Sequence, residues 1–189
     1  MIRFATKEDS QAIAPLILVI LKDMELPLLE EVSEPIILSV LSEAIKNPIY
    51  RFGYQRGLVY EEDGEVAGVA FGYPAEDEPI IDEPLRRALK EHDLSQDIKL
   101  FIDPETLPNE WYLDSISVNE KYRGLGIGSK LLDALPEIAK REGKKVIGLN
   151  VDKENPAAKK LYSRKGFKDI TEMTISGHLY DHMQKEISE

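Results

Sequence analysis

Residues 121–132 read KYRGLGIGSKLL, in which three glycines at alternate positions lead directly into an apolar segment of helical spacing. Glycines let the backbone approach an anion closely, and a helix that starts beside them offers free N–H groups and the positive end of its dipole. The dinucleotide fingerprint and the P-loop both require glycine at position 129, where the chain has Ser129. The stretch therefore predicts a pyrophosphate-binding turn of another kind.

The segments around this loop alternate between strand and helix patterns. We expect a strand over 111–118 before the loop, and after it a helix over about 126–142, a buried strand over 145–151 and a helix over 156–165. Strand–helix–strand crossovers of this kind give parallel pairing. The expected fold class is α/β (α+β), with a mixed, partly parallel central sheet flanked by helices.

The rest of the chain adds mainly antiparallel and helical elements. Thr6 and Ser33 are expected helix N-caps, Asp63-Gly64 is a hairpin turn, and a second hairpin closes the chain. These patterns predict strands over 2–5, 57–62, 65–73, 167–175 and 178–187, and helices over about 7–24 and after Ser33. The acidic, proline-rich segment 74–110 is expected to be an insertion with one helix from Asp82 or Glu83 to about His92.

Length and charge limit the classes of function. A chain of 189 residues suits a single domain over 1–189, and a net charge of −11 argues against binding to nucleic acid or to an anionic membrane. The absence of cysteine excludes a cysteine nucleophile, and the N-terminus shows no signal peptide, so we expect a cytoplasmic protein. Residues 119–169 hold 13 basic and 7 acidic side chains, against 11 and 28 in the remainder. This asymmetry favours a bound polyanion at the loop and a neutral or cationic second substrate elsewhere.

A second motif identifies the family that the loop resembles. The stretches NPAAKKLY at 155–162 and KGF at 165–167, together with VNEKYRG at 118–124, resemble the GCN5-related N-acetyltransferase (GNAT) family. The resemblance implies the acyl-CoA N-acyltransferase fold and acetyl-CoA as co-substrate, with no metal. It also implies that the strands 111–118 and 145–151 splay apart around the thioester. The residues that it assigns to acetyl-CoA are Ile116, Ser117, Val118, Arg123, Gly124, Leu125, Gly126, Ile127, Gly128, Ser129, Asn155 and Tyr162.

The candidate catalytic residues are Tyr162 and Asp114, where the resemblance implies a proton-donating tyrosine and, as base, a carboxylate or an ordered water. Tyr162 aligns with the tyrosine that protonates the departing thiolate, and the alternative is a tyrosine that only packs on the inner helix face. Asp114 is the best-placed general base, because strand alternation puts it on the face of Ile116 and Val118; the alternative is a structural carboxylate. Asn155 is expected both to contact the pantetheine and to cap the helix that begins at Pro156. His178 and His182 are expected to be structural.

The expected function is therefore transfer of the acetyl group of acetyl-CoA to an amine by direct attack, with the acceptor unknown. A coenzyme A sensor without turnover and a transferase of a longer acyl group are the alternatives. The insertion is assigned to the acceptor mouth, with Glu76, Asp77 and Glu78 attracting a cationic amine. The alternatives for it are a solvated excursion or a homodimer contact through Ile80, Ile81, Leu85 and Leu89.

Overall fold

The computed structural model describes residues 1–24, 26–96 and 103–189. Within these ranges it has seven strands and six α-helices, together with short 3-10 turns. The strands are β1 (Ile2–Phe4), β2 (Gly57–Glu62), β3 (Glu65–Pro74), β4 (Trp111–Val118), β5 (Val146–Asp152), β6 (Lys168–Ile175) and β7 (His178–Glu186). The helices are α1 (Ser10–Asp23), α2 (Leu28–Glu31), α3 (Glu34–Ile45), α4 (Glu83–Glu91), α5 (Ile127–Arg141) and α6 (Pro156–Arg164). The sequence prediction lacked only the short helix α2 and the 3-10 turns.

The strands form one sheet in the order β1-β2-β3-β4-β5-β7-β6. Every neighbouring pair is antiparallel except β4 and β5, which are parallel and are joined through α5. The expected mixed, partly parallel sheet is thus confirmed. The single crossover places the end of β4, the glycine loop and the start of α5 at one edge of that parallel pair.

Local sequence signals account for several element boundaries. Asp63 and Gly64 both have positive φ, 52° and 77°, as the two-residue turn between β2 and β3 requires. The backbone N–H of Thr6 donates to the Asp9 carboxylate at 2.8 Å and so satisfies one of the free donors ahead of α1. Ser33 is the N-cap of α3, with a proline in its first turn, as expected.

Helices cover the sheet on both faces. The apolar sides of α1, α3 and α4 pack on one face, against Val59, Val69 and Phe71. The apolar side of α5 packs on the other face, against Leu58 and Ala70. Because consecutive residues of β3 point to opposite faces, its buried run contributes to both cores.

The described part of the segment 74–110 contributes to this core through the helix α4. Its helix α4 ends within one residue of the prediction, and Leu85, Ala88 and Leu89 are buried against the core that α1 and α3 form. Ile81 is buried too, while Ile80 is exposed. Three of the four residues considered for a homodimer contact are therefore buried within the chain itself. Residues 97–102 of the segment, among them the charged residues Asp97 and Lys99, lie outside the described residues. In the described ranges no helix is long and apolar enough to cross a membrane.

Candidate active site

The strands β4 and β5 pair over three residues and then part. Trp111, Tyr112 and Leu113 pair with Ile147, Gly148 and Leu149, and the parallel register stops there. Beyond that point β4 continues as far as Val118 and β5 as far as Asp152. The two strands therefore form a slot that is closed at Trp111 and open towards the glycine loop, as the predicted splay requires.

The glycine loop lies at the open end of this slot. Gly124 and Gly126 have φ of 81° and 73°, which favours glycine at both positions, and Gly126 is the N-cap of α5. The amides at the start of an α-helix have no carbonyl within the helix to bind. The amides of Ile127, Gly128 and Ser129 are in this position, while the side chains of Arg123 and Leu125 are exposed. The loop thus has the geometry of an anion-binding helix start.

The start of α5 faces the unpaired half of β4. A Cβ added to Gly128 would stand 4.0 Å from the Cγ2 atoms of both Ile116 and Val118, so these three predicted residues lie together. The Ser117 side chain points to the opposite face, where its hydroxyl donates to the carbonyl of Leu16 at 3.2 Å. On the β5 side, the edge of β4 from Ser115 to Val118 is beyond the parallel register, which leaves backbone groups for an extended ligand.

Asp114 does not lie where strand alternation placed it. Phe71 pairs with Ser115 and Gly72 pairs with Leu113, so Asp114 is the extra residue of a β-bulge. The bulge reverses the alternation, and Ile116 and Val118 pack with α5, whereas Asp114 binds Arg51 on the opposite face. The prediction that Asp114 shares a face with Ile116 and Val118 is therefore wrong, because it assumed a regular strand in which every second side chain points to the same face, and the bulge interrupts that pattern.

The second motif places Tyr162 and Asn155 on α6. Asn155 is the N-cap of this helix, and its side-chain oxygen accepts a hydrogen bond from the N–H of Ala158 at 3.1 Å. Tyr162 packs with Phe167 edge to face, at 6.1 Å between ring centroids, in the cluster that includes Ile116 and Val118. Burial raises the pKa of the Tyr162 phenol, so this side chain keeps its proton at neutral pH. Both residues thus have the structural roles that were weighed for them.

A cavity of about 700 Å³ opens on the Asp114 side of the slot. Its walls come from the end of α1, from the residues before β4, from both splayed strands and from the β6–β7 hairpin. Five carboxylates line it: Asp23, Asp103, Glu105, Asp114 and Asp152. The described residues that line the cavity include no lysine or arginine.

The three carboxylates that were expected at the acceptor mouth lie elsewhere. Glu76 binds Lys144 and Asp77 binds Arg56, both outside the cavity lining. Glu78 accepts hydrogen bonds from the N–H of Glu105 and the hydroxyl of Thr106, each at 3.0 Å. The segment does reach the cavity, but it does so through Asp103 and Glu105, which the sequence did not single out.

A buried polar chain supports the closed end of the slot. Glu110 and His182 are fully buried, and Nε2 of His182 lies 2.9 Å from Oε2 of Glu110. Asn150 donates from Nδ2 to the carbonyl of Glu105 at 2.9 Å and to the hydroxyl of Tyr112 at 3.2 Å. Its Oδ1 therefore accepts from Nδ1 of His182, at 2.7 Å. His182 is structural, as expected, and in the described part of the chain no group of three ligating side chains is arranged for a metal ion.

A buried arginine organises the carboxylates around the cavity. The Arg51 side chain is 2% exposed, and it binds Asp82, Glu105 and Asp114. Neither Arg51 nor Asn150 was predicted as a site residue. Each nevertheless stands out in the sequence. Arg51 is a single charged residue between the aromatic residues Tyr50 and Phe52, and Asn150 is a polar residue within the apolar strand 146–151.

Comparison with known proteins gives one family. A model of the acetyltransferase (GNAT) family matches residues 30–167. A crystal structure described as an acetyltransferase is 70% identical, with full coverage of both chains and a TM-score of 0.95. An N-acetyltransferase from Staphylococcus aureus Mu50 is 32% identical, with 97% of this chain and 99% of that chain covered and a TM-score of 0.79.

Curated relatives match over shorter stretches. Thialysine N-epsilon-acetyltransferase of Bos taurus is 41% identical over 61 residues, which are 32% of this chain and 36% of that protein. In the first curated relatives, the matched part spans between 24% and 58% of the relative's own length.

Proposed function

The chain belongs to the acetyltransferase (GNAT) family, and on that premise we propose that residues 1–189 form one domain that transfers the acetyl group of acetyl-CoA to an amine. The observation that carries this proposal is the slot between β4 and β5, with an anion-binding helix start at one side and an acid-lined cavity at the other. A two-substrate reaction needs two entrances that meet at one point, and this arrangement provides them.

The residues around the loop fit the coenzyme. The amides of Ile127, Gly128 and Ser129 would bind the pyrophosphate, with Gly124 and Gly126 supplying the required positive φ. The edge of β4 at Ile116–Val118 would pair with the pantetheine arm. Asn155 would contact this arm from α6. The exposed side chain of Arg123 adds positive charge beside the loop.

The chemistry of the transfer follows from the same geometry. An N–H of the bulged strand, at Ile116 or Ser117, would donate to the carbonyl oxygen of the thioester as negative charge develops on it. Tyr162, protonated at neutral pH, would give its proton to the thiolate that leaves. In this proposal the amine attacks the thioester directly, and the lack of cysteine in the chain is consistent with that route.

The lining of the cavity favours a cationic acceptor. Its five carboxylates would attract an ammonium group and would repel the phosphates of the coenzyme. The acetyl-transferring relative named for thialysine is consistent with an acceptor of this class.

The proposal is tested by binding and turnover together. Acetyl-CoA titrated calorimetrically into the protein should bind, and amines added afterwards should release coenzyme A, detected by its thiol. Because the chain contains no cysteine, the protein itself contributes no thiol to this assay. Binding of acetyl-CoA with no thiol release from any amine would instead support the sensor function. Faster release of coenzyme A from a longer acyl-CoA than from acetyl-CoA would support a transferase of a longer acyl group.

A further inference from the structure

One nitrogen of the Arg51 guanidinium has more hydrogen-bond acceptors around it than it has hydrogens to donate. Its Nε and Nη2 bind the two oxygens of Asp82, both at 3.1 Å. Its Nη1 carries two hydrogens but lies within hydrogen-bond distance of three oxygens: Oδ1 of Asp114 at 2.5 Å, Oε2 of Glu105 at 2.9 Å and the hydroxyl of Tyr73 at 3.3 Å. One guanidinium thus faces three carboxylates, and the cluster carries a surplus of negative charge if all three are ionised.

The three carboxylates differ in whether each of their oxygens already has a hydrogen-bond partner among the described residues. Both oxygens of Asp82 are bound to Arg51. Asp114 is bound at Oδ1 by Arg51 and at Oδ2 by the hydroxyl of Ser115, at 2.8 Å. Glu105 is bound at Oε2, while its Oε1 has no hydrogen-bond partner among residues 1–24, 26–96 and 103–189. Glu105 is therefore the carboxylate with an oxygen available to a ligand in the cavity that it lines.

The backbone of Glu105 is fixed by two hydrogen bonds, one at its carbonyl and one at its N–H. Its carbonyl accepts from Asn150, the first residue of β5 beyond the parallel register, and its N–H donates to Glu78. Asn150 in turn binds Tyr112 of β4 and His182 of β7. The Glu105 side chain is thereby held at the point where the two strands part, on the side of the acid-lined cavity.

The environment of Glu105 suits a proton acceptor. Burial, followed by the charge of Asp114, raises the pKa of Glu105 to about 7. A general base works best when its pKa lies near the pH of the reaction, because it is then both ionised and sufficiently basic. The side chain keeps a 13% exposure to the cavity, through which the proton can leave.

We propose that Glu105 is the general base, and that its Oε1 takes a proton from the ammonium group of the acceptor. This role rests on the N-acetyltransferase function proposed above, and it moves the base from Asp114 to a residue of the 74–110 segment. Asp114 is then a positioning residue, which together with Arg51 holds the Glu105 carboxylate in place.

The protons balance in this scheme. The ammonium nitrogen carries three hydrogens, and the amide product carries one. The first proton goes to Glu105 before the nitrogen attacks the thioester carbon. The C–N bond forms and the C–S bond breaks, after which the second proton replaces the one that Tyr162 gives to the thiolate. Glu105 then releases its proton to solvent, so that each turnover yields one amide, one thiol and one free proton.

The variant that tests the role is Glu105→Gln, with Glu83→Gln as a matched control from the same segment. Glu83 is exposed on α4, outside the cavity lining, and pairs with Arg86. Thiol release would be measured from pH 6 to 10 with 1,4-diaminobutane, lysine methyl ester and tyramine as acceptors. The melting temperature of each protein would be measured at pH 8.

We expect Glu105→Gln to lower kcat by about 10²–10³-fold at pH 7.5, the usual contribution of a general base, with no loss of melting temperature. In the wild type kcat/KM should fall below about pH 7. In the variant, kcat/KM should instead rise tenfold per pH unit up to the pKa of the amine, because only the unprotonated amine then reacts. Glu83→Gln should match the wild type.

The opposing outcomes are distinct. If Asp114→Asn abolishes the limb near pH 7 while Glu105→Gln retains it, Asp114 is the base and the proposal is wrong. If Glu105→Gln keeps the wild-type kcat, or loses activity only in proportion to lost folded protein, the proposal is also wrong. If the wild type binds acetyl-CoA but acetylates none of the three amines, the proposed function fails together with the role of Glu105.

Discussion

An ideal Cβ on Gly148 of β5 would stand 2.0 Å from Oε2 of Glu110, because that carboxylate occupies the space a side chain would need. Glu110 precedes β4, crosses β5 at Gly148, and binds His182 and Gln184 of β7 at 2.9 and 2.7 Å. A single buried carboxylate thus connects three neighbouring strands at the closed end of the slot.

This relationship predicts that Gly148→Ala destabilises the protein through a residue distant in sequence. The methyl group would displace Glu110 from His182 and Gln184, and leaving a buried polar group without its hydrogen-bond partners costs about 1–3 kcal/mol. Urea unfolding followed by circular dichroism should show a lower midpoint. A midpoint equal to that of the wild type would show that the Glu110 carboxylate is not fixed above Gly148.

Gly128→Ala should leave the stability of the protein unchanged and weaken its binding of acetyl-CoA. The added Cβ would stand 4.0 Å from Ile116 and Val118, an ordinary contact, so the stability of the free protein should not fall. The methyl group would enter the space between α5 and β4, and we expect acetyl-CoA to bind at least about tenfold more weakly, which is about 1.4 kcal/mol. Calorimetric titration measures this change, and an unchanged Kd would remove Gly128 from the binding site.

Tyr162→Phe should reduce turnover and leave binding intact. The phenylalanine keeps the packing against Phe167 and removes only the hydroxyl proton. We expect kcat to fall by about ten- to a thousandfold, with the Kd for acetyl-CoA unchanged. If single-turnover measurements showed wild-type chemistry in this variant, Tyr162 would be a packing residue alone.

The raised pKa of Glu105 predicts a loss of stability as the pH rises. The folded protein retains the Glu105 proton up to about pH 7, whereas the unfolded chain releases it near 4.5, the ordinary pKa of a glutamate side chain. Between these values the folded state binds more protons, so the contribution of Glu105 to stability decreases, by up to about 3 kcal/mol in total. Glu105→Gln should lack this contribution and gain on the wild type between pH 5 and pH 8 in urea titrations. A constant difference across that range would contradict the assignment.

The acid-lined cavity predicts a salt-dependent effect on the acceptor. Asp23 is exposed on its rim, and Asp23→Asn should raise the KM of a cationic acceptor more at low salt than at high salt, because mobile ions screen exposed charges. The matched control is Glu76→Gln, which removes one charge outside the cavity lining. An equal rise in both variants would mean that net charge, and not the cavity, attracts the acceptor.

Local patterns were sufficient for the elements that carry the slot. The hairpin at Asp63-Gly64, the helix start at Gly126 and the cap at Asn155 are each decided by a few adjacent residues, whose allowed φ angles and hydrogen bonds do not depend on distant parts of the chain. The α5 helix and the strand before it were therefore predicted to within about one residue.

The acceptor side depends on contacts between distant residues. Arg51 and Asp114 are 63 positions apart, and Glu110 and His182 are 72 apart. No spacing rule connects such pairs, so neither cluster was predicted. The bulge at Asp114 has a related cause: it shifts the alternation of β4 by one residue, and the run WYLDSISV contains no glycine or proline to announce it.

The three-residue pairing of β4 with β5 also fixes the length of backbone edge that an extended ligand can pair with. From Leu113 to Val118 β4 continues for five residues, or about 16 Å at 3.3 Å per residue, with its β3 edge paired as far as Val118 and only its β5 edge open. Because the Glu110 carboxylate lies against Gly148 within this short pairing, a substitution at Gly148 would act on the point at which the open edge begins.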